Sequence, residues 1–100
     1  MRIIAQRNIA AFIRVHPETE PALSRWTKIA KAAKWSSTAE VQSSFKGAKV
    51  INGERVRFEV AGGNYRMIVA FQFEFQVAFI KFIGSHAEYD RVDAAAVSQF

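Results

Sequence analysis

The apolar residues of this chain change their spacing near Gly47, and this change limits the possible folds more than any other feature. Before Gly47 they recur every three or four positions, which is the period of an amphipathic helix. After Gly47 they alternate with polar residues, as in Val56, Phe58 and Val60, which is the period of a strand with one buried face. We therefore expect an α+β fold in which helices pack on one face of an antiparallel sheet.

The first half of the chain predicts a short strand followed by a helical hairpin. Residues 1–4 form the strand, residues 6–15 the first helix and residues 21–34 the second. The apolar stripes of these helices include Phe12 and Trp26, which we expect to lie against the sheet. The opposite sheet face would then be left for a ligand or a partner.

Two shorter helices are also predicted. The first covers residues 37–45, because Ser37 and Glu40 have the spacing of a capping box. The second is a closing helix over residues 88–97.

The alternating pattern predicts an antiparallel meander joined by tight turns. Its strands are expected at residues 49–51, 55–61, 65–73 and 77–83. The dipeptide Asn52-Gly53 favours a type I′ hairpin turn, and residues 62–64 favour a second turn.

The chain is basic, with a formal net charge of +5 and a pI of about 10.0. Residues 1–45 carry seven Lys and Arg against three acidic residues, so the bias lies in the N-terminal half. This charge favours a polyanion or an acidic protein as partner. Four residues lie away from the apolar stripes and form either an RNA-binding surface or a merely solvated one: Arg7, Arg14, Lys28 and Lys31.

Composition also excludes several classes of protein. A chain of 100 residues is expected to form one domain, residues 1–100. It has no cysteine, so it has no disulfide framework and no thiolate zinc site, and its two histidines are far apart in sequence. No apolar run approaches the ~18 residues of a membrane span. With no secretory signal pattern, we expect a cytoplasmic protein.

Four polar residues in the second half are candidates for RNA cleavage: Arg66, Lys81, His86 and Tyr89. Cleavage by internal transfer requires a base for the 2′-hydroxyl proton, an acid for the leaving 5′-oxygen and cations beside the phosphate, but no metal. Histidine titrates near neutral pH, so His86 is the natural acid or base. The guanidinium group of Arg66 can donate two hydrogen bonds to a phosphate, and the ammonium group of Lys81 can place a positive charge beside it. Tyr89 stacks on a base or serves as a weak acid.

The same residues also have purely structural interpretations. His86 follows a strand, where histidines are often structural, and His16 beside a proline has a structural role. Arg66 can form a surface ion pair, and Lys81 can point to solvent. Composition and spacing alone lead only to a basic α+β domain.

Two longer strings give a more specific indication. Residues 62–69 read Gly-Gly-Asn-Tyr-Arg-Met-Ile-Val, and residues 82–90 read Phe-Ile-Gly-Ser-His-Ala-Glu-Tyr-Asp. A Tyr-Arg pair thus precedes a His-x-x-Tyr-Asp pattern. In these strings, and in the layout of its N-terminal half, the chain resembles the HigB family of toxins from type II toxin–antitoxin systems.

The resemblance implies a fold like that of the RelE and ParE toxins. It also implies a ribosome-dependent endoribonuclease that cuts messenger RNA, needs no cofactor and is inhibited by a HigA-like antitoxin with a helix-turn-helix part. Operator DNA would be contacted only through that antitoxin. Carried over by position, the catalytic candidates are Arg66, His86, Tyr89 and Lys81, and Asp90 would orient His86.

Other implications of the resemblance concern RNA contacts. Arg57 and Lys46 are expected to join the RNA-binding residues. Glu59 stands where asparagine is common in the family, and a carboxylate that faced RNA would repel phosphate. Two rival functions are a binding protein without chemistry, acting on RNA or the antitoxin by occupancy, and a gyrase-inhibiting toxin of the same fold.

Overall fold

The computed structural model describes residues 1–100 and contains five strands and four α-helices. The strands are β1 (Arg2–Ile4), β2 (Ala48–Val50), β3 (Arg55–Val60), β4 (Tyr65–Gln72) and β5 (Val77–Ser85). The helices are α1 (Gln6–Val15), α2 (Glu20–Ala32), α3 (Thr38–Ser43) and α4 (His86–Tyr89), with a 3-10 turn at Pro17–Thr19 between α1 and α2. The predicted α+β class is confirmed.

The five strands form one mixed sheet in the order β1-β5-β4-β3-β2. Strands β2 to β5 are antiparallel, as predicted, but β1 runs parallel to β5, so the sheet is not wholly antiparallel. The Met1 ammonium donates hydrogen bonds to the carbonyls of Ala30 and Ala33, at 2.9 Å each. The carbonyl end of α2 carries partial negative charge, so this contact stabilises the start of β1 beside the end of α2.

The main core lies between the helices and one sheet face. Val56, Phe58 and Val60 are all buried there, which confirms the alternation that predicted β3. Trp26 is buried as predicted, whereas Phe12 is only partly buried at the edge of the core. Burial of each such large apolar side chain contributes about 1.5–3 kcal/mol to stability.

The second sheet face is partly covered, although we expected it to be free. Its buried apolar side chains lie outside the main core: Ile68, Ala70 and Phe82. The C-terminal segment lies against this face, because Arg55 Nη1 donates to the carbonyls of Ala94 and Val97 at 3.0 and 2.8 Å. A ligand therefore meets an open surface only on the remainder of this face.

The predicted short C-terminal helix is present, but its predicted bounds of 88–97 are wrong. Helix α4 ends at Tyr89, and turns and irregular chain follow it. The backbone N–H of Gln99 donates to the Lys81 carbonyl, and the Gln99 side chain accepts from the Ile83 N–H, each at 2.8 Å. The segment is thus held by long-range hydrogen bonds to the sheet, which replace the local bonds of a helix.

The connection between β2 and β3 also differs from its prediction. A type I′ turn requires positive φ at both central residues, and Gly53 does not have it. Instead, Asn52 Oδ1 accepts from the backbone N–H groups of Glu54 and Arg55, each at 2.9 Å. The hairpin is correct, but the asparagine side chain forms the turn. The turn predicted at residues 62–64 is present between β3 and β4.

Gly84 allows the close packing of β5, and replacing it should destabilise the fold. An added Cβ would lie 2.6 Å from Cζ of Phe82, whose ring is buried. We expect Gly84→Ala to lower the free energy of unfolding by about 1–3 kcal/mol, measured by urea denaturation. Gly53→Ala is the control, because its Cβ would meet nothing within 4 Å. Equal stability of the two variants would contradict this packing argument.

Candidate functional site

A capping box positions the short helix α4. Ser85 Oγ accepts from the Glu88 N–H at 3.1 Å, and Glu88 Oε1 accepts from the Ser85 N–H at 2.9 Å. The Ser85 backbone N–H, and then the Ser85 side chain, hold the pKa of the Glu88 carboxyl below its usual value. The spacing of Ser85 and Glu88 is legible in the sequence. It could have placed the start of this helix at His86, two residues before the predicted start at Glu88.

His86 begins α4 and is held by two contacts. Its backbone N–H donates to the Asn64 carbonyl at 3.0 Å, which ties α4 to the turn before β4. Its Nδ1 lies 3.0 Å from Asp90 Oδ2, and both side chains are more than half exposed. The contact that we expected between Asp90 and His86 is therefore present. Nε2 has no partner within the chain, so it is the nitrogen that can exchange a proton with a ligand.

Arg66 is buried, and its charge is already partnered. It lies directly across from Gly84 on β5. Its Nη1 donates to the carbonyls of Gly63 and, at 3.3 Å, of Tyr65. Its Nη2 lies 3.7 Å from Glu59 Oε1. Arg66 is thus neither a surface ion-pair residue nor a freely exposed phosphate ligand.

Glu59 connects two arginines of the second sheet face. The same oxygen, Oε1, lies 3.8 Å from Nη2 of Arg57. The guanidinium carbon of Arg57 in turn lies 6.0 Å from the ring centroid of Tyr89, and that ring is 6.3 Å from the ring of Phe82. The structure therefore brings Arg57, Glu59, Arg66 and Tyr89 into one cluster, and α4 adds His86 beside it.

Lys81 lies apart from this cluster. It falls at a β-bulge, because Ile68 pairs with Phe82 and Val69 with Ile80, which leaves Lys81 without a partner. Its Nζ lies 5.5 Å from the ring centroid of Phe79. No contact joins Lys81 to the other catalytic candidates.

The predicted RNA-binding residues fall into two groups. Arg57 belongs to the cluster, and the exposed Lys46 precedes Gly47 beside Glu59. The other four are exposed on α1 and α2: Arg7, Arg14, Lys28 and Lys31. Lys28 and Lys31 lie beside the groove between the two helices, whereas Arg7 lines a surface cavity together with Phe79 and Lys81 of β5.

A second polar cluster, not predicted, joins the helical hairpin to β4. The Tyr65 hydroxyl donates to Glu18 Oε2 and lies 3.2 Å from Nδ1 of His16. The hydrogen bond lowers the pKa of Glu18 and raises that of Tyr65. His16 also contacts the ring of Phe12, with the two centroids 4.6 Å apart. These contacts give His16 a structural role, as we expected.

Comparison with known proteins assigns the family. A profile of the HigB toxins, described as the RelE-like toxic component of a toxin–antitoxin system, matches residues 19–92. This chain belongs to the HigB toxin family. The match includes both strings that carried the resemblance and the whole cluster around Glu59. No curated protein matches the chain. A HigB-family toxin implies an antitoxin as partner, and the five-stranded mixed sheet is consistent with a RelE-like fold.

Two further observations bear on possible ligands. No three His, Asp or Glu side chains lie close enough together to hold a metal ion. None of the helices has both the length and the apolar character that crossing a membrane requires.

Ser85 should control both the stability of α4 and the titration of Glu88. In Ser85→Ala the helix loses its cap, and we expect unfolding free energy to fall by about 1 kcal/mol. The pKa of Glu88, measured by carboxyl NMR, should rise part of the way towards its usual value, because the variant loses the contribution of the Ser85 side chain and keeps the larger one of the backbone N–H. Because folding lowers this pKa, the contribution of Glu88 to stability is present above the usual carboxyl pKa. That contribution is lost as pH falls through the folded pKa, so the stability difference between variant and wild type should shrink in acid to the part that comes from the uncharged cap.

The control is Ser37→Ala. Ser37 caps α3 in the same way, accepting from the Glu40 N–H at 3.2 Å, but it lies outside the site. It should lower stability similarly and leave the titration of Glu88 unchanged. A Glu88 pKa that does not move in Ser85→Ala would contradict the assigned cause.

Proposed function

We propose that this HigB-family toxin is a ribosome-dependent endoribonuclease that cuts messenger RNA without a metal ion. The observation that carries the proposal is the position of His86. It is exposed, its Nδ1 is held by Asp90, and it shares α4 with Tyr89, whose ring lies 6.0 Å from the Arg57 guanidinium carbon. A proton-exchanging group, an aromatic ring and cationic groups are what RNA cleavage by internal transfer requires.

The proposed reaction is attack of the ribose 2′-oxygen on the adjacent phosphorus. The 2′-hydroxyl loses its proton to a base, the new P–O bond closes a 2′,3′-cyclic phosphate, and the 5′-oxygen leaves with a proton from an acid. Asp90 holds the His86 ring so that Nε2 faces outward as that acid or base. Tyr89 stacks on a neighbouring base or supplies the second proton-exchanging group. Arg57 and Arg66 offset the charge that develops on the phosphate oxygens.

Lys81 has the weakest support among the catalytic candidates. Strand residues rise about 3.3 Å each, so its Cα lies roughly 10 Å along β5 from Gly84, which pairs with Arg66. We propose that Lys81 binds an RNA phosphate beyond the scissile one. The C-terminal segment, which bonds to the Lys81 carbonyl, holds this part of β5 in place.

The basic helices support a contact with the ribosome. Arg7 and Arg14 on α1, and Lys28 and Lys31 on α2, are exposed, and the two lysines lie beside the groove between these helices. We propose that they hold ribosomal RNA while the other sheet face receives messenger RNA. The antitoxin partner is proposed to be HigA-like, with a helix-turn-helix part through which the complex contacts operator DNA.

Replacing His86 should abolish cleavage while the fold is retained. We expect His86→Ala to reduce the cleavage rate by about 10²- to 10⁴-fold, because the acid or base is removed. New 5′ ends are mapped on translated and untranslated copies of one message after induction. Cuts should occur only in the translated copy.

Gln72→Ala is the control, since Gln72 is exposed at the opposite end of β4. It should cleave like the wild type. Growth arrest with no new RNA ends would instead support a binding protein without chemistry. Intact messages together with induction of the DNA-damage response would support a gyrase inhibitor.

The helical basic residues should control ribosome affinity rather than chemistry. We expect Lys28→Gln/Lys31→Gln to weaken binding to ribosomes and to lower the salt slope of that binding by roughly two. The rate at saturating ribosome concentration should not change. The control with equal charge loss is Arg2→Gln/Lys34→Gln, because both residues are exposed and belong to neither group of RNA-binding candidates. If both double variants bind equally, only net charge matters, and the proposed face is incorrect.

A further inference from the structure

We propose that Arg57 and Arg66 form the binding site for one RNA phosphate and that Glu59 is its internal competitor, which determines how tightly the phosphate is held. The proposal deepens the proposed function, on which it rests for the source of the phosphate. The anion site itself follows from contacts within the chain.

The first argument is the position of the Glu59 carboxylate. A single oxygen, Oε1, lies 3.8 Å from Nη2 of Arg57 and 3.7 Å from Nη2 of Arg66. A phosphate oxygen that contacted both guanidinium groups would have to occupy this same position. Neither distance is as short as a hydrogen bond of about 2.7–3.2 Å, so the carboxylate is attracted to the site without being locked in it.

The second argument is accessibility. The side chains of Arg57 and Arg66 are only 17% and 9% exposed, whereas that of Glu59 is 41% exposed. Glu59 is therefore the most exposed of the three side chains, and its carboxylate can move towards solvent and away from the two Nη2 atoms. A ligand that arrives from solvent reaches both arginines when the carboxylate moves aside.

The third argument is the balance of charge and hydrogen bonds. Two guanidinium groups face one carboxylate, so the cluster retains one positive charge. The Nε atoms of both arginines are buried and have no acceptor within the chain. A phosphate carries more acceptor oxygens than a carboxylate and can engage a guanidinium fork in two hydrogen bonds. It is therefore the better occupant of the site once Glu59 has moved.

Two glycines border the cluster. A Cβ at Gly47 would lie 2.6 Å from Glu59 Oε2, and one at Gly63 would lie 3.4 Å from Nη1 of Arg66. Both positions are glycine, so the carboxylate lies against bare backbone on one side and Arg66 is not covered by a side chain from residue 63. A side chain at either position would crowd the charged groups of the cluster.

The test compares Glu59→Gln with Glu54→Gln in binding of inorganic phosphate. Both variants gain one unit of net charge, but Glu54 is exposed five residues away, roughly 16 Å along β3. Binding is followed by the NMR signals of the arginine Nε–H groups at pH 7 and 0.1 M ionic strength. We expect Glu59→Gln to bind phosphate about tenfold more tightly. We expect Glu54→Gln to change affinity by less than about twofold, because its distance exceeds the Debye length.

The same comparison is then made with a 2′-O-methyl tetraribonucleotide, which cannot be cleaved. Equal gains for the two variants, or weaker binding by Glu59→Gln, would overturn the proposal. If Glu59→Gln does not fold, the proposal is tested by titrating the wild-type protein with phosphate. Saturating phosphate should then shift the Glu59 carboxyl carbon together with the Arg57 and Arg66 signals, and arginine shifts without a Glu59 shift would refute displacement.

These outcomes are separable from the proposed function. Phosphate binding that responds to Glu59, in a protein that cuts no RNA, would retain the anion site and reject the ribonuclease. If cleavage is lost in His86→Ala but phosphate binding does not respond preferentially to Glu59→Gln, the ribonuclease is retained and the competition by Glu59 is rejected.

Discussion

The pairing of β4 with β5 is the constraint on which the candidate site depends. Tyr65 lies across from Ser85, Arg66 lies across from Gly84, and the first N–H of α4 bonds back to the turn before β4. Two strings that are separated in sequence thereby become neighbours in space. Successive side chains of a strand point to opposite faces of the sheet. A shift of one residue in the pairing of β4 with β5 would therefore place the Arg66 side chain in the main core. The register of this one pair therefore determines whether the site exists.

Patterns within short stretches of sequence predicted those parts of the fold that depend on interactions between residues close together in the chain. The alternation of Val56, Phe58 and Val60 reports directly which face of β3 is buried, and the spacing of His86 and Asp90 places them one helical turn apart. The parallel placement of β1 depends instead on contacts with α2 and β5, which no local pattern encodes. The C-terminal segment has a helix-compatible composition, yet bonds from Arg55 and Gln99 to distant backbone groups outweigh that preference.

The candidate site shows the same division between local and long-range information. Family resemblance identified Arg66, but only the structure shows it buried and paired with Glu59 across β3 and β4. A carboxylate that looks unfavourable for an RNA-binding protein in the sequence is, in three dimensions, the counterion of two arginines. The separation of the basic residues of α1 and α2 from Arg57 likewise follows from the layering of helices on the sheet, and a count of charges cannot reveal it.

The parallel contact between β1 and β5 has a consequence for the order of events during synthesis. Arg2 pairs with Val77 and Ile4 with Phe79, so the first strand to be made has no partner until most of the chain exists. Contacts of such wide sequence separation form late, because a long loop must close before they are gained. Strand β5 also leads into α4, which contains His86, and pairs with β4, which contains Arg66. A nascent chain would thus lack the assembled candidate site until β5 has been synthesised and has paired with both β4 and β1.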